Sequence, residues 1–196
     1  IDTGGGEILL SLKHPFENTA ATENYPPNVD LCVETLLPLG IDFRQASGNE
    51  KLPFEDASFD MIIDRHGDFN AEHFARVLKP GGLFITQQVG ADNDRELVEL
   101  LCGDVPRPFP EQYLNEAADK FIDAGFSILQ GRECYRPIQF CDVGALVWFA
   151  RVLPWEFPDF SVDRCLDRLM QAQKIACKSG KNVVILHRVR QANRKE

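Results

Sequence analysis

Short apolar segments alternate with amphipathic segments along most of the chain. Residues 59–63 are the most apolar of the short segments, as is typical of a strand buried at the centre of a parallel sheet. The intervening segments, such as 114–121, carry apolar residues at helical spacing. This alternation predicts an α/β fold with a mostly parallel sheet and helices on both faces. Seven strands are predicted: one ending at Ile1, and 19–23, 41–43, 59–63, 83–86, 126–130 and 183–189.

The pattern changes between residues 136 and 182, where a minimal sheet would need no further elements. A helix that follows Asp142 is apolar on nearly all sides, so it must be covered on both sides. An aromatic loop and a longer amphipathic helix come next. We therefore predict an inserted helical lobe at 136–182, before the last strand, and a core formed by 1–135 and 183–196.

The composition is that of an ordinary globular protein, with 196 residues, 44% hydrophobic and 26% charged. The formal net charge of −9 disfavours broad binding to nucleic acids or anionic membranes, because both need a cationic surface. The densest apolar run, at 143–153, is too short to span a bilayer. We therefore expect neither a nucleic-acid nor a membrane partner.

Six cysteines are scattered without a C-x-x-C pair, and the four histidines are equally dispersed. This usage favours a reducing cytoplasm and predicts no metal site. The chain begins at Ile1, close to a run of glycines, although a buried strand usually has about four to eight residues. We therefore expect further residues upstream of Ile1.

Three successive glycines, Gly4, Gly5 and Gly6, follow Asp2 and precede a helix-forming run. Glycine lets the backbone approach a ligand closely and adopt positive φ, and a following helix directs free N–H groups to the same place. A dinucleotide turn would need a glycine where Leu9 stands, and no G-K-[ST] follows. The sequence therefore predicts a nucleotide-cradling turn that does not bind a pyrophosphate. The alternative is an ordinary glycine turn between two elements.

An acidic residue, Glu23, ends the next predicted strand, 17 positions after Gly6. In nucleotide-binding βαβ units, an acidic residue about 20 positions farther on accepts hydrogen bonds from ribose hydroxyls. Asn24 and Tyr25 follow directly. The Tyr25 ring either stacks on an adenine or substrate, or anchors the loop.

Ionisable and amide side chains follow two neighbouring predicted strands. Asp64, Arg65 and His66 come after the most apolar strand, and Gln87 and Gln88 come after the next one. Ligands bind at the carboxyl ends of strands in open α/β sheets. His66 is the best candidate for a general base because its unperturbed pKa lies near neutrality. The alternative is a packing or cofactor-loop residue, which is the more common role of a histidine after a central strand.

Candidate substrate contacts also lie in the predicted lobe. Arg136, with Arg65, could hold an anionic substrate or form structural ion pairs. Trp148 and Trp155 either line a substrate pocket or only pack the lobe. Gln87 could bind substrate through its amide or cap the sheet.

Three further motifs, at 52–54, 58–60 and 76–82, follow the glycine turn and Glu23 in order. This ordered set resembles class I S-adenosylmethionine-dependent methyltransferases, and is especially similar to the ubiquinone and menaquinone C-methyltransferases. The resemblance provides little information about the residues beyond 90. It implies a Rossmann-like fold and S-adenosyl-L-methionine as cofactor.

The resemblance also implies a role for each matching residue. The glycine turn would pass under the methionine part, with Asp2 either meeting the ammonium group or marking an altered turn. Gly48 departs from the family, which often has an adenine-binding aspartate there. The implied cofactor residues are Gly4, Gly5 and Gly6 for methionine, Glu23 for ribose, Asn24 or Tyr25 for an adenine face, Asn49 and Glu50 for the adenine edge, and Asp64 and Arg65 for the methionyl end.

The sequence therefore predicts a cytoplasmic methyltransferase that acts on a small molecule. One alternative is a non-catalytic, cofactor-binding or regulatory protein, because no obvious base is present. An RNA or protein methyltransferase is a third reading, and the acidic net charge disfavours it.

Overall fold

The computed structural model describes residues 1–179 and 183–191, and within these it describes the side chains of 1–134 and 138–174. The chain divides into two compact units. Unit 1 contains 1–88 and 117–132, and unit 2 contains 89–116 and most of the residues from 133 to 190. Unit 2 thus includes a segment, 89–116, that lies outside the predicted lobe.

Strands and helices alternate through unit 1, whereas helices dominate unit 2. The strands are β1 (Ala20–Glu23), β2 (Asp42–Gln45), β3 (Phe59–Arg65), β4 (Leu78–Val89), β5 (Arg132–Phe140) and β6 (Val183–Gln191). The helices are α1 (Glu7–Ser11), α2 (Pro26–Thr35), α3 (Ala71–Val77), α4 (Arg95–Cys102), α5 (Leu114–Asp123), α6 (Val143–Val152) and α7 (Val162–Ser179), with 3₁₀ turns at Phe16–Asn18 and Leu37–Leu39. None of the helices in the described ranges is long and apolar enough to cross a membrane.

Both strand pairs of unit 1 are parallel, as the alternation of strands and helices predicts. β1 pairs with β2, so that Glu23 lies opposite Gln45. β3 pairs with β4, so that Arg65 lies opposite Gln87. The register shifts near the start of this second pair, and residues 79–82, the end of the motif at 76–82, lie in the shifted region. In unit 2, β5 and β6 are neighbouring strands.

Apolar side chains of unit 1 form two clusters, and those of unit 2 form one. The first cluster contains Ala21, Cys32, Leu36, Ile41 and Phe43, the second Leu52, Ile62, Ala71, Phe74, Val77, Leu78 and Phe121, and the third Leu97, Val98, Leu101, Phe140, Leu146, Ala150, Phe157, Cys165 and Leu169. Each strand pair of unit 1 therefore packs against its own apolar cluster.

Two local predictions are wrong. Residues 126–130 form no strand, because Phe126 packs edge-on against the Phe121 ring instead, and a strand begins only at Arg132. α6 is not covered on both sides: Leu146 is buried, whereas Trp148 is 66% exposed. The described residues contain six strands, one fewer than predicted.

Candidate functional site

The glycine turn adopts the backbone geometry that the sequence predicts. Gly4 and Gly6 have φ values of 63° and 86°, which favour glycine over other residues. A Cβ on Gly6 would also lie 2.8 Å from a methyl group of Leu36. α1 begins directly after Gly6, whose carbonyl accepts from the Leu10 N–H at 2.9 Å. The turn is therefore fixed by both backbone conformation and close packing.

Glu23 lies against this turn, although 17 residues separate it from Gly6. Its carboxylate is 5% exposed and accepts a hydrogen bond from the Gly4 N–H at 2.7 Å. The other carboxylate oxygen accepts from the N–H groups of Asn24 and Tyr25, both at 2.9 Å. The structure thus brings together the two features that the sequence predicts to bind a nucleotide.

The loop after β3 packs against Asp2. Asp2 accepts a hydrogen bond from the Asp68 N–H at 3.1 Å, and Asp64 accepts from the Gly67 N–H at 3.2 Å. A Cβ on Gly67 would lie 2.5 Å from an oxygen of each carboxylate, so only glycine fits there. The sequence does not single out Gly67, because a lone glycine after a strand is common in turns.

Burial changes the acidity of both carboxyl groups beside this loop. The pKa of Asp64 is raised to about 7, chiefly by burial and in part by the nearby Asp2 charge. Burial also raises the pKa of Asp2. One oxygen of Asp2, Oδ1, is buried and has no hydrogen-bond partner among the described residues.

Gly48 has a physical reason to be glycine. A Cβ at this position would lie 1.9 Å from the carbonyl oxygen of Asp68. The backbone of Asp68 therefore occupies the space that the side chain of an aspartate at residue 48 would need. The Gly48 carbonyl also accepts from the Asn70 N–H at 3.0 Å. Asn49 and Glu50 follow Gly48 and are exposed, so their side chains are accessible to a ligand.

Three further predicted residues meet at the ends of β3 and β4. The Arg65 guanidinium donates to the side-chain oxygen of Gln87 at 3.2 Å. His66 is exposed and has a φ of 63°, and its N–H donates to the Gln87 carbonyl at 2.9 Å. A positive φ at a residue other than glycine is uncommon and is found more often at functional sites.

The remaining predicted substrate residues are not brought together by any described contact. Tyr25, of unit 1, is 62% exposed. Trp148 and Trp155, of unit 2, are 66% and 54% exposed. The side chain of Arg136 lies outside the described residues. Their roles stay predictions.

A separate cavity of about 360 Å³ lies in unit 1, between the facing sides of β1 and β3. Its walls are mainly apolar and include Leu9, Phe54 and Ile62. Neither Glu23 nor Asp64 lines it. The cavity therefore does not include the two buried carboxylates of the candidate site.

Comparison with known proteins matches residues 1–86 to the family model of the methyltransferase domain. A phthiotriol/phenolphthiotriol dimycocerosates methyltransferase of Mycobacterium tuberculosis is 31% identical over 98 residues, which are 46% of this chain and 36% of that protein. A Mycobacterium ulcerans protein of the same description is 28% identical over 128 residues, which are 61% of this chain and 46% of that protein. The chain thus spans less than half the length of these curated relatives.

Two solved structures resemble the whole chain. The YcgJ protein of Bacillus subtilis has a TM-score of 0.61 and 19% identity, with 100% of this chain and 90% of that one covered. A Bacillus halodurans protein assigned as a methyltransferase has a TM-score of 0.59 and 15% identity, with 98% and 90% covered. These likenesses show the Rossmann-like α/β fold. The family-model match shows that residues 1–86 are similar to a methyltransferase domain, in line with the resemblance of their motifs.

Proposed function

We propose that the protein is an S-adenosylmethionine-dependent methyltransferase that acts on a small-molecule acceptor. The observation that carries this proposal is the 2.7 Å hydrogen bond from the Gly4 N–H to the Glu23 carboxylate. It joins a glycine turn, which can lie under a ligand, to a carboxylate that can accept from ribose hydroxyls.

The residues around this contact fit the cofactor. A carboxylate has about four lone-pair positions, and backbone N–H groups use three on Glu23, so one remains for a ribose hydroxyl. The buried, unpartnered Oδ1 of Asp2 suits the ammonium group of the methionine part. Asn49 and Glu50 would face the adenine edge, and Asn24 or Tyr25 an adenine face. Asp64 and Arg65 would border the methionyl end.

The cofactor supplies an activated methyl group, so the protein chiefly has to align donor and acceptor. Asp2 and the glycine turn would hold one side of the cleft, and the loop after β3 would hold the other. His66 is the candidate base for an acceptor that must lose a proton, because it is exposed on this loop.

The finer features of the proposal rest on the sequence. They are a ubiquinone/menaquinone C-methyltransferase-like subtype, a seven-stranded sheet, a substrate-capping lobe at 136–182, a cytoplasmic location and no nucleic-acid partner. The exposed Trp148 and Trp155 rings support a lobe that contacts an apolar acceptor. The curated relatives are described as methylating phthiotriol and phenolphthiotriol dimycocerosates, which supports a lipid-like acceptor.

Calorimetry with S-adenosylmethionine and S-adenosylhomocysteine tests the proposal. We expect the natural sequence to bind both, and Glu23→Ala to weaken binding at least about ten-fold by leaving a ribose hydroxyl unpaired. Glu34→Ala, at an exposed position of α2, is the matched control and should bind normally. Absence of binding by the natural sequence would refute the proposal. Binding without labelled methyl transfer into any cell-extract component would support a non-catalytic role instead.

A further inference from the structure

A buried amide, Gln88, lies directly behind the loop that follows β3. The side chain is 8% exposed, and its Nε2 donates to Asp64 Oδ2 at 2.7 Å and to the Gly67 carbonyl at 3.1 Å. It also contacts the Thr86 hydroxyl at 2.9 Å. Gln88 therefore contacts both the strand end and the loop, while its neighbour Gln87 binds Arg65 on a more exposed side.

Asp64 depends on these contacts because it is almost completely buried. It is 1% exposed, and a carboxylate is costly to bury without hydrogen-bond donors. Its donors are the Gln88 amide, the Thr86 hydroxyl at 3.3 Å and the Gly67 N–H at 3.2 Å. Gln88 provides the shortest of the three bonds. The charged side chain that faces Asp64 is the Asp2 carboxylate.

The loop held by Gln88 contacts both sides of the proposed cofactor cleft. Its Asp68 N–H donates to Asp2, beside the glycine turn. Its Asp68 carbonyl approaches Gly48, beside the residues that would face adenine. A displacement of Gly67 would therefore change the contacts with Asp2 and with Gly48 together.

From these contacts we propose that Gln88 is a positioning residue, which acts through Asp64 and the Gly67 carbonyl to hold the loop at 66–70 against Asp2 and Gly48. The proposal rests on the proposed function only for its effect on the cofactor. In the proposed placement Gln88 does not contact the cofactor itself and affects it only through Asp64 and the loop at 66–70.

The test replaces the amide with an apolar side chain of similar size, Gln88→Met. We expect amide hydrogen exchange at Gly67 and Asp68, measured by NMR, to accelerate at least about ten-fold, the size expected for one hydrogen bond to a charged group. The dissociation constant of S-adenosylhomocysteine should rise by a similar factor. The titration midpoint of the Asp64 carboxyl should move to higher pH, because a donor to the carboxylate is lost. Gln139→Ala, at an exposed position of β5, should change none of these.

The outcomes separate the two proposals. Unchanged exchange at Gly67 and Asp68 would overturn the positioning role. Faster exchange with an unchanged dissociation constant would overturn the link to the cofactor. If the natural sequence binds no S-adenosylhomocysteine, the proposed function fails, and the exchange and titration data still decide what Gln88 holds. Should Gln88→Met not fold, Thr86→Val removes a second donor to Asp64 and should accelerate the same two amides.

Discussion

Glu23 of unit 1 and two carboxylates of unit 2, Asp94 and Glu156, are buried but stabilised in different ways. In unit 1, Glu23 accepts three hydrogen bonds, all from backbone N–H groups. In unit 2, Asp94 and Glu156 are 0% and 5% exposed and both accept from the side-chain amide of Asn93, at 3.0 and 3.2 Å. A carboxylate held by backbone requires a particular chain path, often with glycine. A carboxylate held by a side chain needs only a donor side chain that is long enough to reach it.

This difference explains which part of the site could be predicted. Gly4, Gly6 and Glu23 form a sequence pattern because the backbone geometry restricts the residue types. The contacts of Asn93 with Asp94 and Glu156 leave no such pattern, since 62 residues separate Asp94 from Glu156 and many donors could serve. In the sequence, Gln87 and Gln88 are neighbours of the same residue type. Their roles differ because Gln88 is buried in the structure, and the sequence does not show this.

The largest expected effect concerns Asp64 and pH. Burial raises its pKa from 3.8 in the unfolded chain to about 7 in the folded protein, so the native state binds the proton more tightly. Its stabilising contribution is complete below about pH 4 and is lost as the pH rises through about 7. At about 1.4 kcal/mol per pKa unit, the loss is about 4 kcal/mol.

Chemical denaturation between pH 4 and 8 checks this expectation. Asp64→Asn should remove most of the fall in the free energy of unfolding, since the amide does not ionise. Asp30→Asn, at an exposed position of α2, should leave the fall in place. An equal fall in Asp64→Asn and the natural sequence would show that Asp64 is not the responsible group.

The next largest effect concerns the close approach of backbone at Gly48. Gly48→Ala should lower the free energy of unfolding by about 3 kcal/mol, because its Cβ would overlap the Asp68 carbonyl. Gly40→Ala is the control, since that Cβ would meet nothing within 4 Å and only the φ of 87° is strained, at about 1 kcal/mol. Urea denaturation measures both. Equal losses would mean that the loop moves away from residue 48 without cost.

The smallest effect tests whether the two units separate in function as well as in packing. Asn93→Ala should lower the free energy of unfolding by about 2 kcal/mol, because two buried carboxylates lose a donor. The affinity for S-adenosylhomocysteine should stay unchanged, since the proposed cofactor residues belong to unit 1. Asn115→Ala, at an exposed position, should alter neither quantity. A weakened affinity in Asn93→Ala would mean that unit 2 also shapes the cofactor site.

The fold was predictable wherever local pattern and packing agree. β1 and β3 begin within one residue of their predicted starts because their apolar residues face packed clusters. The strand predicted at 126–130 failed since an apolar run does not reveal whether it will pair with a strand or, like Phe126, pack against an aromatic ring. The prediction that α6 is covered on both sides is wrong for a related reason, because apolar character alone does not show which side of a helix is buried.

The cavity between β1 and β3 has a consequence for handling the protein. Within unit 1, β1 pairs with β2 and β3 pairs with β4, so each of the two strands has a side with no pairing partner among the described strands of this unit. Met61 and Ile63 of β3 are 49% and 40% exposed. Strand edges with apolar side chains are templates for pairing with another chain. The first residues reach both edges, since the Ile1 amino group donates to the Ile63 carbonyl and the Thr3 N–H to the Thr22 carbonyl. Self-association is therefore expected only through the rest of each edge, and light scattering against concentration would reveal it.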